Sequence, residues 1–72
     1  MIMDYSNITE LDISNKELTK LPDDIHKYAN LKKLICQNNN ITSLNNLPPT
    51  LEILYCSFNN ITSLDNLPVT LI

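Results

Sequence analysis

The chain contains no glycine and no tryptophan, and only five of its 72 residues are lysine or arginine. The missing glycine and tryptophan, set against abundant asparagine and isoleucine, reflect codon bias and carry no chemistry. The scarcity of basic residues does exclude something. With a net charge of −3 and Lys32-Lys33 as its one adjacent basic pair, the chain lacks the clustered cations that a phosphate backbone requires. Nucleic acid is therefore not an expected partner.

Long apolar runs are missing as well. No stretch approaches the roughly 18 apolar residues of a membrane span. The N-terminal MIMDYSNITELD has neither a basic leader nor an apolar stretch of signal length. The expectation is a soluble protein of the cytoplasm, without a membrane partner. A 43% hydrophobic content is enough for a core, so disorder is not expected. Seventy-two residues make one small domain.

What the chain does contain is one motif written twice. Residues 31–50 read LKKLICQNNNITSLNNLPPT and residues 51–70 read LEILYCSFNNITSLDNLPVT. Both fit LxxLxCxxNxIxxLxxLPxT, and a fixed period near 20 residues points to stacked structural units. A more divergent unit precedes them. In it Ile8, Leu11, Ile13, Leu18 and Leu21 take the positions of Leu31, Leu34, Cys36, Ile41 and Leu44, and the continuation through Pro22, Ile25 and Tyr28 makes it 23 residues long.

Each unit alternates apolar and polar residues over a short stretch, the period of a half-buried strand. The expected strands are Glu10–Ser14, Lys33–Gln37 and Ile53–Ser57, lying side by side in a parallel sheet about 4.8 Å apart. Leu11, Ile13, Leu34, Cys36, Leu54 and Cys56 should point inward. The segment 22–28, with its leading proline, early acids and apolar residues three apart, predicts one or two helical turns. The prolines at 48, 49 and 68 predict extended backs for the other units.

These motifs resemble the leucine-rich repeat, LxxLxLxxN/CxL, over about residues 8–72. The two 20-residue units are similar to the short bacterial form and the 23-residue unit to the longer plant form. The resemblance implies an α/β right-handed solenoid with a short parallel concave sheet and a mostly non-helical convex side. Its expected divisions are an N-terminal cap at 1–7, repeats at 8–30, 31–50 and 51–70, and the start of an incomplete repeat at 71–72 with no C-terminal cap. The resemblance also gives Asn39 and Asn59 a role as a structural asparagine ladder, bonding backbone groups where the chain leaves the sheet. Lys16 stands in the corresponding place in the first unit, which predicts a first turn that is looser or faces solvent.

Few residues suggest reaction chemistry. Cys36 and Cys56 occupy matching inward positions and read as small core side chains. A zinc site needs four ligands, and the single histidine, His26, lies on the back of the first unit. In-register parallel neighbours stand wider apart than a disulfide prefers. The repeat itself generates the sequons at Asn40 and Asn60, and with no export signal visible these and the one at Asn7 read as coincidental. No catalytic residue, cofactor or metal site is expected, so the chain reads as a non-enzyme.

The residues facing outward from the sheet remain. Lys33, Ile35, Gln37, Ile53, Tyr55, Ser57 and Phe58 form the expected partner-binding face, because apolar and aromatic groups gathered on a wet surface mark contacts. The expected function is a non-enzymatic protein–protein interaction module whose partner the sequence does not name. The alternative is a self-assembling module, or a fragment of a longer array, associating as a homodimer or homo-oligomer through Ile61, Leu64, Leu67 and Leu71 at an uncapped end.

Overall fold

A computed structural model describes residues 5–63 and 67–68. Three short strands, β1 (Glu10–Asp12), β2 (Lys33–Ile35) and β3 (Ile53–Tyr55), form one parallel sheet in the order β1-β2-β3. Glu10, Leu11 and Asp12 stand opposite Lys33, Leu34 and Ile35, which in turn stand opposite Ile53, Leu54 and Tyr55. The sheet therefore advances 23 residues from Glu10 to Lys33 and 20 from Lys33 to Ile53, the two unit lengths of the sequence. Alternation along each strand sends Leu11, Leu34 and Leu54 to the inner side.

The strands are shorter than the five residues expected, although pairing runs on past them. Ile13 N donates to Ile35 O at 2.8 Å and Asn15 N to Gln37 O at 3.2 Å, while Cys36 N and Asn38 N donate to Tyr55 O and Ser57 O at 2.8 and 3.0 Å. The extended run stops because Asn15, Asn38 and Phe58 adopt left-handed backbone, with φ of 57°, 58° and 57°. That conformation turns the chain away from the sheet.

The core lies under the sheet and is built from Ile13, Leu21, Ile25, Tyr28, Leu31, Leu34, Cys36, Ile41, Leu44, Leu47 and Leu51. Leu31, Leu34 and Leu51 are fully enclosed, each worth about 2 kcal/mol relative to exposure. The third unit is covered less well: Leu54, Cys56, Ile61 and Leu67 are only half-buried against that core.

On the back of the first unit the expected helical segment is a single 3-10 turn, Ile25–Lys27. Ile25 N donates to Pro22 O and Tyr28 N to Ile25 O, so the bonds span three residues. Side chains three apart eclipse in such a turn, which stacks Ile25 and Tyr28 into the core. Asp24, ahead of this turn, makes no side-chain cap. Its carboxylate accepts the Tyr5 hydroxyl at 2.6 Å, and Asp23 pairs with Lys20 at 3.2 Å.

Tyr5 opens another 3-10 turn, Tyr5–Asn7. Its ring meets that of Tyr28 edge-on, with centroids 4.8 Å apart and an interplanar angle of 88°, a favourable aromatic geometry. Asn30 Nδ2 donates to Ser6 O at 2.8 Å. Among the described residues of the expected cap, Tyr5 and Ser6 thus lie against the first unit's back.

Candidate functional site

Two columns of side chains cross the outer face of the sheet, Glu10/Lys33/Ile53 and Asp12/Ile35/Tyr55. They change character from β1 to β3. The first strand presents two carboxylates, the second a lysine and a half-buried isoleucine, and the third Ile53 and Tyr55, which are 39% and 48% exposed. Phe58, just past β3, is 81% exposed.

Lys33 ties the face together. Its Nζ lies 3.8 Å from Glu10 Oε1 and 5.2 Å from the centroid of the Tyr55 ring. An exposed ion pair of this length is worth little, but with the cation–π contact it fixes where the lysine sits. Beside β2 and β3, Lys32 and Glu52 pair at 3.6 Å.

Asp12 is held differently. Its Oδ1 accepts the Ser14 hydroxyl at 2.6 Å and the Ser14 N–H at 3.0 Å. These bonds, the hydroxyl first, keep its carboxyl below the usual range, so it is anionic at neutral pH. The ion pairs among the described residues are Lys20–Asp23, Lys32–Glu52 and Lys33–Glu10. None of them includes Asp12.

Gln37 is half-buried and Ser57 exposed. Their carbonyls accept backbone N–H groups from Asn15 and Asn38, the residues at the turn of the preceding unit, and this positions both side chains at the rim. Ile35 and Tyr55 lie directly opposite one another, with Ile53 beside them. Of the seven residues expected on the partner face, Ile53, Tyr55 and Phe58 carry the exposed apolar area.

Asn39 and Asn59 stand behind the face, at the bend. Asn39 is buried, and its Nδ2 donates to Cys36 O and Ile13 O at 3.0 Å and to Gln37 O at 3.3 Å. Its Oδ1 accepts Lys16 N at 3.1 Å and Leu18 N at 3.0 Å. Of the two expectations Lys16 raised, the first turn is solvent-facing, with Lys16 exposed, and is not loose, because the next unit's asparagine reaches back to hold its backbone. Asn59 repeats the pattern, donating to Cys36, Cys56 and Ser57 carbonyls and accepting Ile41 N at 3.0 Å.

Cys36 and Cys56 are both free thiols. Burial, and secondarily the neighbouring Cys56, push the Cys36 thiol up to about 12, so it stays protonated at neutral pH. His26 is exposed on the back. Among the described residues no group of three or more His, Cys, Asp or Glu side chains could hold a metal ion, and no helix is long and apolar enough to cross a membrane. Of the residues expected at an associating end, Ile61 and Leu67 are half-buried, and Leu64 and Leu71 lie outside the described residues.

Sequence reasoning missed three contacts: Tyr5 with Asp24, Lys33 with Tyr55, and Asn39 with the first turn. Only the second had a visible signal, since the aligned units place Lys33 diagonally from Tyr55. The other two join residues whose proximity depends on how the loops fold.

Residues 50–71 match the Leucine Rich Repeat family. Over 39 residues, 54% of this chain, the sequence is 41% identical to the Ras guanine nucleotide exchange factor V of Dictyostelium discoideum, and the match covers 2% of that relative's length. No solved structure matches the chain.

Proposed function

Because this chain carries a leucine-rich repeat at residues 50–71, we propose that it is a non-enzymatic protein-interaction module. Its partner meets the outer face of the sheet, around Lys33, Ile35, Gln37, Ile53, Tyr55, Ser57 and Phe58. One observation carries the reading. The large hydrophobic side chains exposed among the described residues, Ile53, Tyr55 and Phe58, all lie on β3 or just beyond it. Scattered exposed apolar residues are ordinary, but three within six positions make a patch that a partner can bury.

On this reading the units at 8–30, 31–50 and 51–70 are turns of a right-handed solenoid, and the sheet is its concave side. The in-register parallel strands and the two unit lengths support it. The exchange-factor relative adds no specific partner, since so little of it is matched and fold does not determine function.

The test is a double substitution, Ile35→Ser with Tyr55→Ser, in protein shown by circular dichroism to remain folded. Recovery of bound partners from extract is expected to fall at least tenfold. Unchanged recovery would place the binding surface elsewhere.

A further inference from the structure

Resting on that reading of the outer face, we propose that its partner offers a segment in polyproline II conformation. A cationic side chain of that segment sits over Asp12, and an apolar side chain three residues further along sits over Tyr55 and against Phe58.

Charge sets the direction. Glu10 and Asp12 are the two carboxylates of the first strand, and Lys33 already pairs with Glu10. Asp12 makes no salt bridge among the described residues; its bonds come from the neutral Ser14, and Lys16 acts on it only as a more distant charge. A partner cation is thus attracted to Asp12. The other end of the face offers it no carboxylate, since β3 presents Ile53 and Tyr55 there and Lys33 Nζ already lies over the Tyr55 ring. Across the sheet from Asp12, in register, come Ile35 and then Tyr55, so the apolar end of the segment falls on β3.

Spacing sets the conformation. Asp12 and Tyr55 stand in one row two strands apart, a span of about 9.6 Å at a strand spacing of about 4.8 Å. In a β-type segment, side chains on one face recur every second residue, at about 6.6 or 13 Å, and neither distance fits. Polyproline II has three residues per turn and a rise of about 3.1 Å, so residues three apart share a face at about 9.3 Å. Such segments lose little entropy on binding, and they dock on exposed aromatic rings, which Tyr55 and Phe58 supply.

Phe58 gives independent support for contact at the apolar end. It holds a left-handed backbone, φ 57°, where the equivalent residues of the other units are Asn15 and Asn38. Asparagine tolerates that region, whereas a bulky residue there is strained. With 81% of its surface exposed, Phe58 gains little from its own fold. Burial by a partner would offset both penalties.

The test is selection from a random 12-residue peptide display library on the full chain, followed by affinity measurement on a synthesised winner. Enriched peptides are expected to carry Lys or Arg, then Pro or Leu three positions later. Asp12→Asn, which keeps an acceptor for Ser14, should weaken the winner about fivefold, the scale of a rim charge pair. It should leave a winner whose cation is replaced by Gln unaffected. Moving the apolar residue to two or four positions away should abolish the preference.

Peptides that lack a cation, ignore Asp12→Asn, but lose binding to Tyr55→Ser would overturn this inference and leave the contact face standing. Binding indifferent to both Tyr55→Ser and Ile35→Ser would overturn both. A selection that yields no binder counts against the proposed segment, and the extract measurement above then decides the face.

Discussion

Phe58 occupies a place that asparagine holds twice elsewhere in the same molecule. Asn15, Asn38 and Phe58 share one backbone conformation within a degree of φ, so the three units measure the same site with different side chains. A strained left-handed residue costs about 1–3 kcal/mol, and asparagine bears less of that cost. Phe58→Asn is therefore expected to stabilise the protein by about 1 kcal/mol, raising Tm by roughly 4–8 °C for a domain of this size. Calorimetry or a thermal melt reads the change. A lower Tm would mean that Phe58 supports the fold, and the case for its role in contact would fail with it. The substitution of Phe for Asn is plain in the aligned repeats; the shared φ is what gives it an energetic meaning.

At the scale of the repeat unit, the asparagines join what the strands alone would not. Asn39 satisfies five backbone groups of two successive units, while Asn59 serves three carbonyls and one N–H. Buried groups left unbonded cost about 1–3 kcal/mol each, though water reaches some of these after truncation. Asn39→Ala should thus destabilise by about 3 kcal/mol or more in urea unfolding, and Asn59→Ala by visibly less, since Asn59 is only half-buried. Equal losses would show that the two bonding sets are equivalent. The spacing of the repeat was enough to locate the strands, their register and the bend, because alternation and period are local properties. It left the first turn either loose or solvent-facing, since Lys16 reveals nothing of a bond arriving from Asn39 on the following unit.

In the molecule as a whole, the second unit is the best enclosed among the described residues, while Ile8, Leu11 and Leu18 of the first and Leu54, Cys56, Ile61 and Leu67 of the third are half-buried. The enclosed core includes an ionisable group, the Cys36 thiol, raised from an ordinary 9.0 to about 12, chiefly by burial. Below about pH 9 the thiol is protonated in both folded and unfolded chains, and stability does not depend on it. Between about 9 and 12 the unfolded chain loses the proton and the folded chain keeps it, so stability falls as pH rises. Tyr28, raised mainly by burial, acts in the same direction above its ordinary 10.0. The urea midpoint should therefore drop from pH 8 to pH 10, and Cys36→Val should remove much of that drop. A midpoint equally pH-dependent in Cys36→Val would assign the effect to other groups.

The sequence by itself determined the repeat lengths, the inward residues of the strands, the bends at Asn39 and Asn59, and the outward placement of Ile53 and Tyr55. All of these follow from period and alternation along a single stretch of chain. Only the tertiary structure decided that Lys33 lies between Glu10 and Tyr55, leaving Asp12 in no salt bridge among the described residues. The same holds for Asp24, which takes the Tyr5 hydroxyl and caps no helix, and for the first turn, which the second unit holds. Those outcomes depend on which side chains meet across units 19 to 26 residues apart, and a distance of that kind is set by the path of the loops, which no local pattern encodes.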